Sequence, residues 1–293
     1  MRDLHCVIAV RYGETGGDLG RTLFSSLTWL LLAAASCPMA DAGEDPVPGP
    51  PTQSLTGQAN NPNAPLTQLQ IRDAFAPRLP GTSGTGNLFE LEAVLPFKPR
   101  EFFPHPTLMK ITVPYITVPD PGGESALGDI ALFDQVVFSA PWGSWAVGFA
   151  AVFPSNTARD IGQDTWQLGP AAAIMYTGTT NLVAGIVVQN PASLNSGSRH
   201  QKANALSITP TLTYTRPDGW FAGYSDFDWT FDWESNGDAT IPLGVQLGRV
   251  FKIGNQAFNA SVEAGYNVVR PSDSSTPRWM IGFEFTALFP GVL

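Results

Sequence analysis

Histidine is one of the side chains that catalytic sites and metal sites use most often. The three histidines, His5, His105 and His200, are scattered, and no spacing among them suits a metal site or a Ser-His-Asp arrangement. A lipid-hydrolysing site would need a serine nucleophile beside His105 or His200, and we regard that alternative as remote. We therefore predict no catalytic residue, no cofactor and no metal site, and expect that the protein is not an enzyme.

Charged residues form the second chemical pattern, because many of them alternate with apolar residues along short segments. If these segments form a closed sheet, the charges would face a wet interior in which acids outnumber bases. Such an interior favours cations or polyhydroxylated solutes over anions. The alternative is that the acids only solvate the interior, pair with Lys110 and Arg249, and select nothing. The residues expected to line the lumen or solute path are Glu90, Glu92, Lys110, Asp129, Asp226, Asp228, Asp232, Arg249, Glu263 and Glu284.

The elements that would position these charges are β-strands, and the clearest of them is predicted from Tyr224 to Glu234. Aromatic residues occupy one face of this segment, and acids and a threonine occupy the other, with a period of two. A soluble sheet would bury the aromatic face in a core, whereas a membrane barrel would turn it toward lipid. The aromatic residues expected on that outward face are Phe227, Trp229, Phe231 and Trp233.

Composition favours the membrane barrel over the soluble sheet. Only 14% of the residues are charged, whereas 43% are hydrophobic and 11% are aromatic. A soluble domain carries about 25% charged residues, so part of this surface is expected to avoid water. The formal net charge of -9 argues against nucleic acid as a partner.

Counting alternating segments predicts an all-β fold, namely a closed antiparallel transmembrane β-barrel of about twelve strands, with ten as the alternative. Single-chain bacterial barrels have an even number of strands, with short turns at one end and longer loops at the other. The predicted connections largely follow that alternation. The predicted strands lie near residues 66 to 76, 87 to 97, 107 to 117, 128 to 139, 142 to 153, 165 to 177, 179 to 190, 204 to 215, 219 to 233, 238 to 250, 256 to 269 and 277 to 289.

The first 65 residues are predicted to lie outside the barrel. Residues 22 to 37 are largely apolar, follow Arg21 and precede the small-x-small pattern of residues 40 to 42, so residues 1 to 42 are interpreted as a signal peptide. The true start of translation would then lie nearer Arg21 than Met1, and a membrane anchor or a lipidated Cys37 are alternatives. Residues 43 to 65, rich in Pro, Gly, Asn and Gln, are expected to form a flexible periplasmic lead-in. The barrel domain would span residues 66 to 293.

Aromatic residues near the predicted strand ends would place amphipathic rings at the lipid headgroups, although ordinary core packing is an alternative. The last strand ends in Phe289, and a terminal aromatic residue is typical of chains that the barrel-assembly machinery inserts. Outer-membrane lipid and that machinery are therefore the expected partners. The residues near strand ends are Trp166, Tyr176, Trp220, Tyr224, Trp279 and Phe289.

Several segments resemble a known barrel family. They are residues 242 to 254 (PLGVQLGRVFKIG), 266 to 271 (YNVVRP) and the closing 283 to 290, together with residues 64 to 70, 94 to 97 and 127 to 130. In these segments the chain is similar to the MetA-pathway phenol-degradation transporters. The resemblance covers most of the chain from about residue 61 and contains no catalytic motif. It implies an outer-membrane, transporter-like barrel, and the phenol label is a weak hint about the substrate.

The sequence thus predicts a protein of the bacterial outer membrane that mediates passive transport of small solutes, hydrophobic or aromatic ones among them. Two alternatives remain open. One is a soluble periplasmic β-sandwich or lipocalin-like binding module. The other is a closed barrel that conducts nothing and has a structural or surface role.

Overall fold

The computed structural model describes residues 53–77, 84–99, 104–118, 123–158, 161–194, 202–271 and 276–291. The predicted signal peptide lies outside these residues. The described chain is almost entirely β, with a single short helix, α1 (Leu55–Ala59). Its strands are β1 (Thr67–Ala76), β2 (Gly86–Phe97), β3 (Thr107–Val118), β4 (Glu124–Leu127), β5 (Ile130–Ala140), β6 (Gly143–Phe153), β7 (Gln167–Thr179), β8 (Leu182–Gln189), β9 (Ala192–Ser193), β10 (Ala205–Thr215), β11 (Trp220–Tyr224), β12 (Trp229–Asp232), β13 (Asp238–Ile253), β14 (Gln256–Val269) and β15 (Trp279–Phe289).

These strands form one antiparallel sheet that closes on itself. Among the described residues, three pairs of strands each share one position in the sheet, namely β4 with β5, β8 with β9, and β11 with β12, so fifteen strands occupy twelve positions. Each position pairs with the next along the chain, and β15 pairs with β1 to close the ring. The prediction of a closed antiparallel barrel with twelve strands is therefore confirmed, and the β-sandwich alternative is wrong.

The outer face of the barrel is apolar, as the alternating sequence predicts. Leu69 and Ile71 of β1 are 51% and 45% exposed, whereas their neighbours Gln68 and Arg72 turn inward. Aromatic residues stand at the ends of several strands, where Trp166, Tyr176, Trp220 and Trp279 are exposed. This arrangement is the one expected of an outer surface that contacts hydrocarbon between two interfacial girdles. Among the described residues, no helix is long and apolar enough to cross a bilayer.

Tight turns join the strands at one end of the barrel, which we call the short-turn end. Residues 141–142, 180–181, 216–219 and 254–255 make these connections. In the two-residue turn between β13 and β14, Gly254 has φ +59°, a left-handed conformation that glycine adopts without steric cost. Longer connections lie mostly at the opposite end, which we call the long-loop end.

The strand that the sequence predicts most clearly is interrupted. Residues 225–228 separate β11 from β12, and the alternation of faces does not run through them. Phe227 was expected to face lipid, but it is only 6% exposed and packs inside the barrel against Gly265, where a Cβ would lie 2.6 Å from its ring. The guanidinium of Arg72 lies 5.2 Å from the centre of that ring. The break turns an aromatic side chain inward because a glycine leaves room for it and a cation covers its face.

The described part of the predicted lead-in, residues 53–65, contains a helix and contacts the barrel. Ser54 caps α1 by accepting a hydrogen bond of 3.1 Å from the backbone N–H of Gly57. The segment that follows enters the short-turn end of the barrel, where Asn63 donates to Ser144 and accepts from Gln135, each at 3.0 Å. An apolar cluster holds it there and contains Ala64, Leu66, Phe221, Val250, Ala257 and Leu288. The content of Pro, Gly, Asn and Gln predicts a flexible segment, whereas the side-chain amide of Asn63 is hydrogen-bonded to Ser144 and Gln135 of the barrel.

Candidate transport lumen

The interior of the barrel holds a cavity of about 360 Å³, which lies within the range of small-molecule sites. Two walls of different chemistry enclose it. The wall that we call the charged wall carries acids, bases and other polar groups from β1–β3, β10, β14 and β15 and from the 225–228 break. The wall that we call the apolar wall comes from β5, β6 and β8, with β7 packed beside them, and is built mainly of alanine, valine and phenylalanine.

Arg72 is the centre of the charged wall. Its guanidinium lies 2.8 Å from a carboxylate oxygen of Glu263 and 3.4 Å from one of Glu90. Glu263 is 5% exposed, and its other oxygen accepts from the backbone N–H of Asp226 at 2.8 Å. Sequence reasoning did not place Arg72 in the lumen, although its inward position could have been deduced from the alternation of Gln68, Gln70 and Arg72 with outward Leu69 and Ile71.

Lys110 forms the second ion pair of the charged wall. Its ammonium lies 3.4 Å from Glu92, which also accepts a hydrogen bond of 3.1 Å from Thr112. Lys110 and Glu92 therefore both lie on the lumen side, where the sequence placed them. The pair is more open to solvent than the Arg72 pair, because the side chain of Lys110 is 42% exposed.

Three inward carboxylates are held by neutral donors instead of cations. Asp228 accepts from the hydroxyls of Ser207 and Thr209, at 2.6 and 2.5 Å. Asp226 accepts from the amide of Gln246 at 3.0 Å. Glu284 accepts from Asn259 at 3.0 Å and from Thr286 at 2.8 Å. None of the three has a cation within salt-bridge distance among the described residues.

Three of the residues expected in the lumen have other positions. Asp129 organises the connection after β6, since its carboxylate accepts from the backbone N–H groups of Ser155, Asn156 and Gln163. Asp232 caps the β12–β13 turn by accepting from Glu234 and Ser235.

Arg249 lies on the outer face instead of the inner one. The residues that flank it along β13, Gly248 and Val250, point inward, and its guanidinium lies 5.4 Å from the ring centre of Trp220 on the adjacent strand. A β-strand alternates strictly, so one position of error in the expected register moved the side chain to the other face. The expected inward base is therefore replaced by Arg72.

The apolar wall owes its shape to small residues. Ala150, Ala171 and Phe133 pack together and against Val187, while Ala146, Ala173, Val137 and Leu108 form an adjoining cluster. Alanine at successive inward positions keeps this side of the lumen smooth and leaves the cavity open beside it. The sequence signal is the run of alanines in β6 and β7, which the search for chemically active residues did not use.

The described histidine lies away from the charged wall. The ring of His105 packs against Phe138 with the ring centres 4.6 Å apart, close to the short-turn end. His5 and His200 lie outside the described residues. Within the described ranges, no cluster of three or more His, Cys, Asp or Glu side chains has the arrangement of a metal site.

Comparison with solved structures agrees with the barrel fold. An outer membrane channel from Pseudomonas putida F1 aligns with a TM-score of 0.57 and 10% identity, over 78% of this chain and 98% of the channel. The outer membrane phospholipase A from Escherichia coli aligns with a TM-score of 0.41 and 12% identity, over 80% of this chain and 98% of the phospholipase. No family model and no curated protein matches the sequence. The likeness to the channel shows the fold alone: the chain has the fold of an outer-membrane β-barrel.

Proposed function

We propose that this protein lies in the bacterial outer membrane and mediates passive transport of small, partly apolar solutes through its lumen. The observation that carries the proposal is the cavity of about 360 Å³ between a charged wall and an apolar wall. A solute with a ring or an alkyl body could lie along the apolar wall and keep its polar group against the charged wall. The resemblance to phenol-degradation transporters agrees with a solute of this kind.

The outer surface supports the proposed location. Large apolar side chains are exposed on neighbouring strands, such as Ile71, Leu91, Phe283 and Phe285. Exposed apolar patches larger than a few hundred Å² are rare on soluble monomers, and lipid would cover this one. In this proposal, the predicted signal peptide directs export across the inner membrane, and the barrel-assembly machinery inserts the chain into the outer membrane.

Charge supports a preference for cations. Six carboxylates and two bases among the described residues face the interior, so the lumen has an excess of negative charge. The carboxylates are Glu90, Glu92, Asp226, Asp228, Glu263 and Glu284, and the bases are Arg72 and Lys110. A narrow path lined by one sign of charge concentrates counter-ions and repels ions of the same sign.

A non-conducting barrel is the second candidate, and one observation favours it. Residues 53–66 fill part of the short-turn end and are held there by Asn63 and by the cluster around Leu66. If this segment seals that end, solutes could enter the cavity without crossing the barrel. The role would then be structural or would lie at the surface.

Conductance of the purified protein in a planar lipid bilayer under a salt gradient tests the proposal. We expect discrete current steps with a reversal potential that indicates cation preference. Asp228→Asn, which removes one lumen charge, should reduce that preference, whereas Arg249→Gln, which changes an outer-face charge, should leave it unchanged. Insertion without steps would contradict transport and favour the non-conducting barrel, and anion preference would contradict the role of the charged wall.

A further inference from the structure

The carboxylates of the charged wall differ in whether a cation compensates them. Arg72 lies against Glu263 and Glu90, and Lys110 lies against Glu92. Both described interior bases are therefore already engaged. Asp226, Asp228 and Glu284 line the cavity and have neutral hydrogen-bond donors as the described contacts of their carboxylates.

Glu284 shows the difference most clearly. It lies directly opposite Arg72 in the β1–β15 register, yet the guanidinium turns toward Glu263 and Glu90. The Glu284 carboxylate instead receives the amide of Asn259 and the hydroxyl of Thr286. Arg72, the base opposite Glu284 in the register, thus forms its ion pairs with other carboxylates.

Asn259 provides a second, independent observation. It is 2% exposed, it lines the cavity, and its carbonyl oxygen Oδ1 has no hydrogen-bond partner. A buried acceptor without a donor is unfavourable, so a ligand that donates a hydrogen bond to this oxygen would be stabilised. The donor that is missing would lie beside a carboxylate, where a positive charge is favoured.

The opposite wall limits what can supply that donor. Phe133, Ala150 and Val187 offer no hydrogen bond from their side chains and present an apolar surface to the same cavity. A hydrated inorganic ion would gain nothing from that surface. An organic cation would bury its hydrocarbon body there.

We propose that the lumen contains a binding site for small organic amines, with the ammonium group held by Glu284, Asp226 and the Oδ1 of Asn259 and the apolar body against Phe133, Ala150 and Val187. This inference rests on the proposed function, because it names the solute class for the same lumen. An ammonium group has three N–H donors and no acceptor, which matches a set of acceptors that lacks donors. Its hydrogen bonds to carboxylates are charge-assisted and stronger than neutral ones.

Three probes separate the contributions of the two walls. Benzylamine carries both an ammonium group and a ring, benzyl alcohol keeps the ring with a neutral head, and methylammonium keeps the charge without the ring. Isothermal titration of the full-length protein in detergent should show saturable binding of benzylamine. We expect the dissociation constants of benzyl alcohol and methylammonium each to be at least about tenfold higher than that of benzylamine. Benzyl alcohol lacks the charge-assisted hydrogen bonds, and methylammonium lacks the buried ring.

Two isosteric variants and a control locate the site. Glu284→Gln and Asp226→Asn should each weaken benzylamine binding about tenfold, because each exchanges a charge-assisted hydrogen bond for a neutral one. Asp218→Asn removes the same charge from an exposed pair with Arg216 at the short-turn end, and should leave binding unchanged. Measuring both lumen variants keeps the test valid if one of them fails to fold.

The results distinguish this inference from the proposed function. Benzylamine that binds no more tightly than benzyl alcohol, or that binds both lumen variants as well as the unaltered protein, overturns the amine site. If liposomes containing the protein still take up a neutral solute in that case, the transport proposal stands. Amine binding at Glu284 and Asp226 without uptake of any solute would retain the site and overturn transport.

Discussion

The charged wall and the apolar wall belong to one sheet, but they are stabilised in different ways. In the charged wall, side chains reach across strands, as when Arg72 of β1 joins Glu263 of β14 and Glu90 of β2. In the apolar wall, alanines and Phe133 contact their neighbours and make no polar side-chain bond. The charged wall therefore depends on having both partners of each pair, whereas the apolar wall depends on the size of its side chains. Substitutions should affect the two walls for different reasons.

The largest expected effect comes from removing the cation at the centre of the charged wall. Arg72→Met leaves Glu263 and Glu90 without their base, and breaking a buried pair in this way costs about 3–5 kcal/mol. Urea unfolding of the protein in lipid vesicles, followed by tryptophan fluorescence, would measure the loss. Arg216→Met is the matched control, since it removes an arginine whose side chain is 64% exposed, and its effect should be close to zero. Equal stability of the two variants would contradict the role given to Arg72.

An intermediate effect is expected from enlarging a residue of the apolar wall. Ala150 is 4% exposed, so Ala150→Leu must push its new atoms against Phe133 and Ala171 or into the cavity. Overpacking costs about 1–3 kcal/mol. Uptake of a ring-sized solute by liposomes should also fall. Ala264→Leu makes the same change on the outer face, opposite Val245, where lipid can accommodate it. Uptake that falls equally in both variants would show that the apolar wall does not border the path.

The smallest effect on stability is expected at the more open ion pair. Lys110→Met removes a base whose side chain is 42% exposed, so the free energy of unfolding should change by less than about 1 kcal/mol. The selectivity should change more visibly, because the lumen then has one positive charge fewer. The reversal potential under a salt gradient should shift toward stronger cation preference, while Arg249→Met, which removes a base of the outer face, should leave it unchanged. A shift toward anions would contradict the placement of Lys110 on the lumen side.

The sequence predicts the sheet well, because the period-two alternation follows directly from strand geometry. It gives twelve strands, the apolar outer face and the inward positions of Glu90, Glu92 and Glu263. The prediction is wrong where contacts with distant residues, and not the local alternation, decide the direction of a side chain. Phe227 continues the aromatic alternation, but the space left by Gly265 and the cation of Arg72 turn it inward.

The remaining differences concern contacts between residues far apart in the chain. The position of residues 53–65 depends on Gln135 and Ser144, which no composition argument could associate with Asn63. The hydrogen bond from Asn259 to Glu284 likewise depends on the pairing of β14 with β15. These features follow from the closed barrel and not from any one segment.

Closure of the ring through β1 and β15 has a consequence for how the chain must fold. The register from Thr67 with Phe289 to Phe75 with Ile281 joins the first and last strands of the barrel, so this seam cannot form until β15 has been synthesised. Contacts between such distant parts of the chain slow folding, because the entropy of bringing them together is lost before any contact compensates it. Until then, β1 and the strand at the other edge would expose unpaired N–H and C=O groups that can pair with another chain. Residues 53–66 would have to be inside the ring when the seam closes, so the order of events during assembly would decide whether the short-turn end is filled.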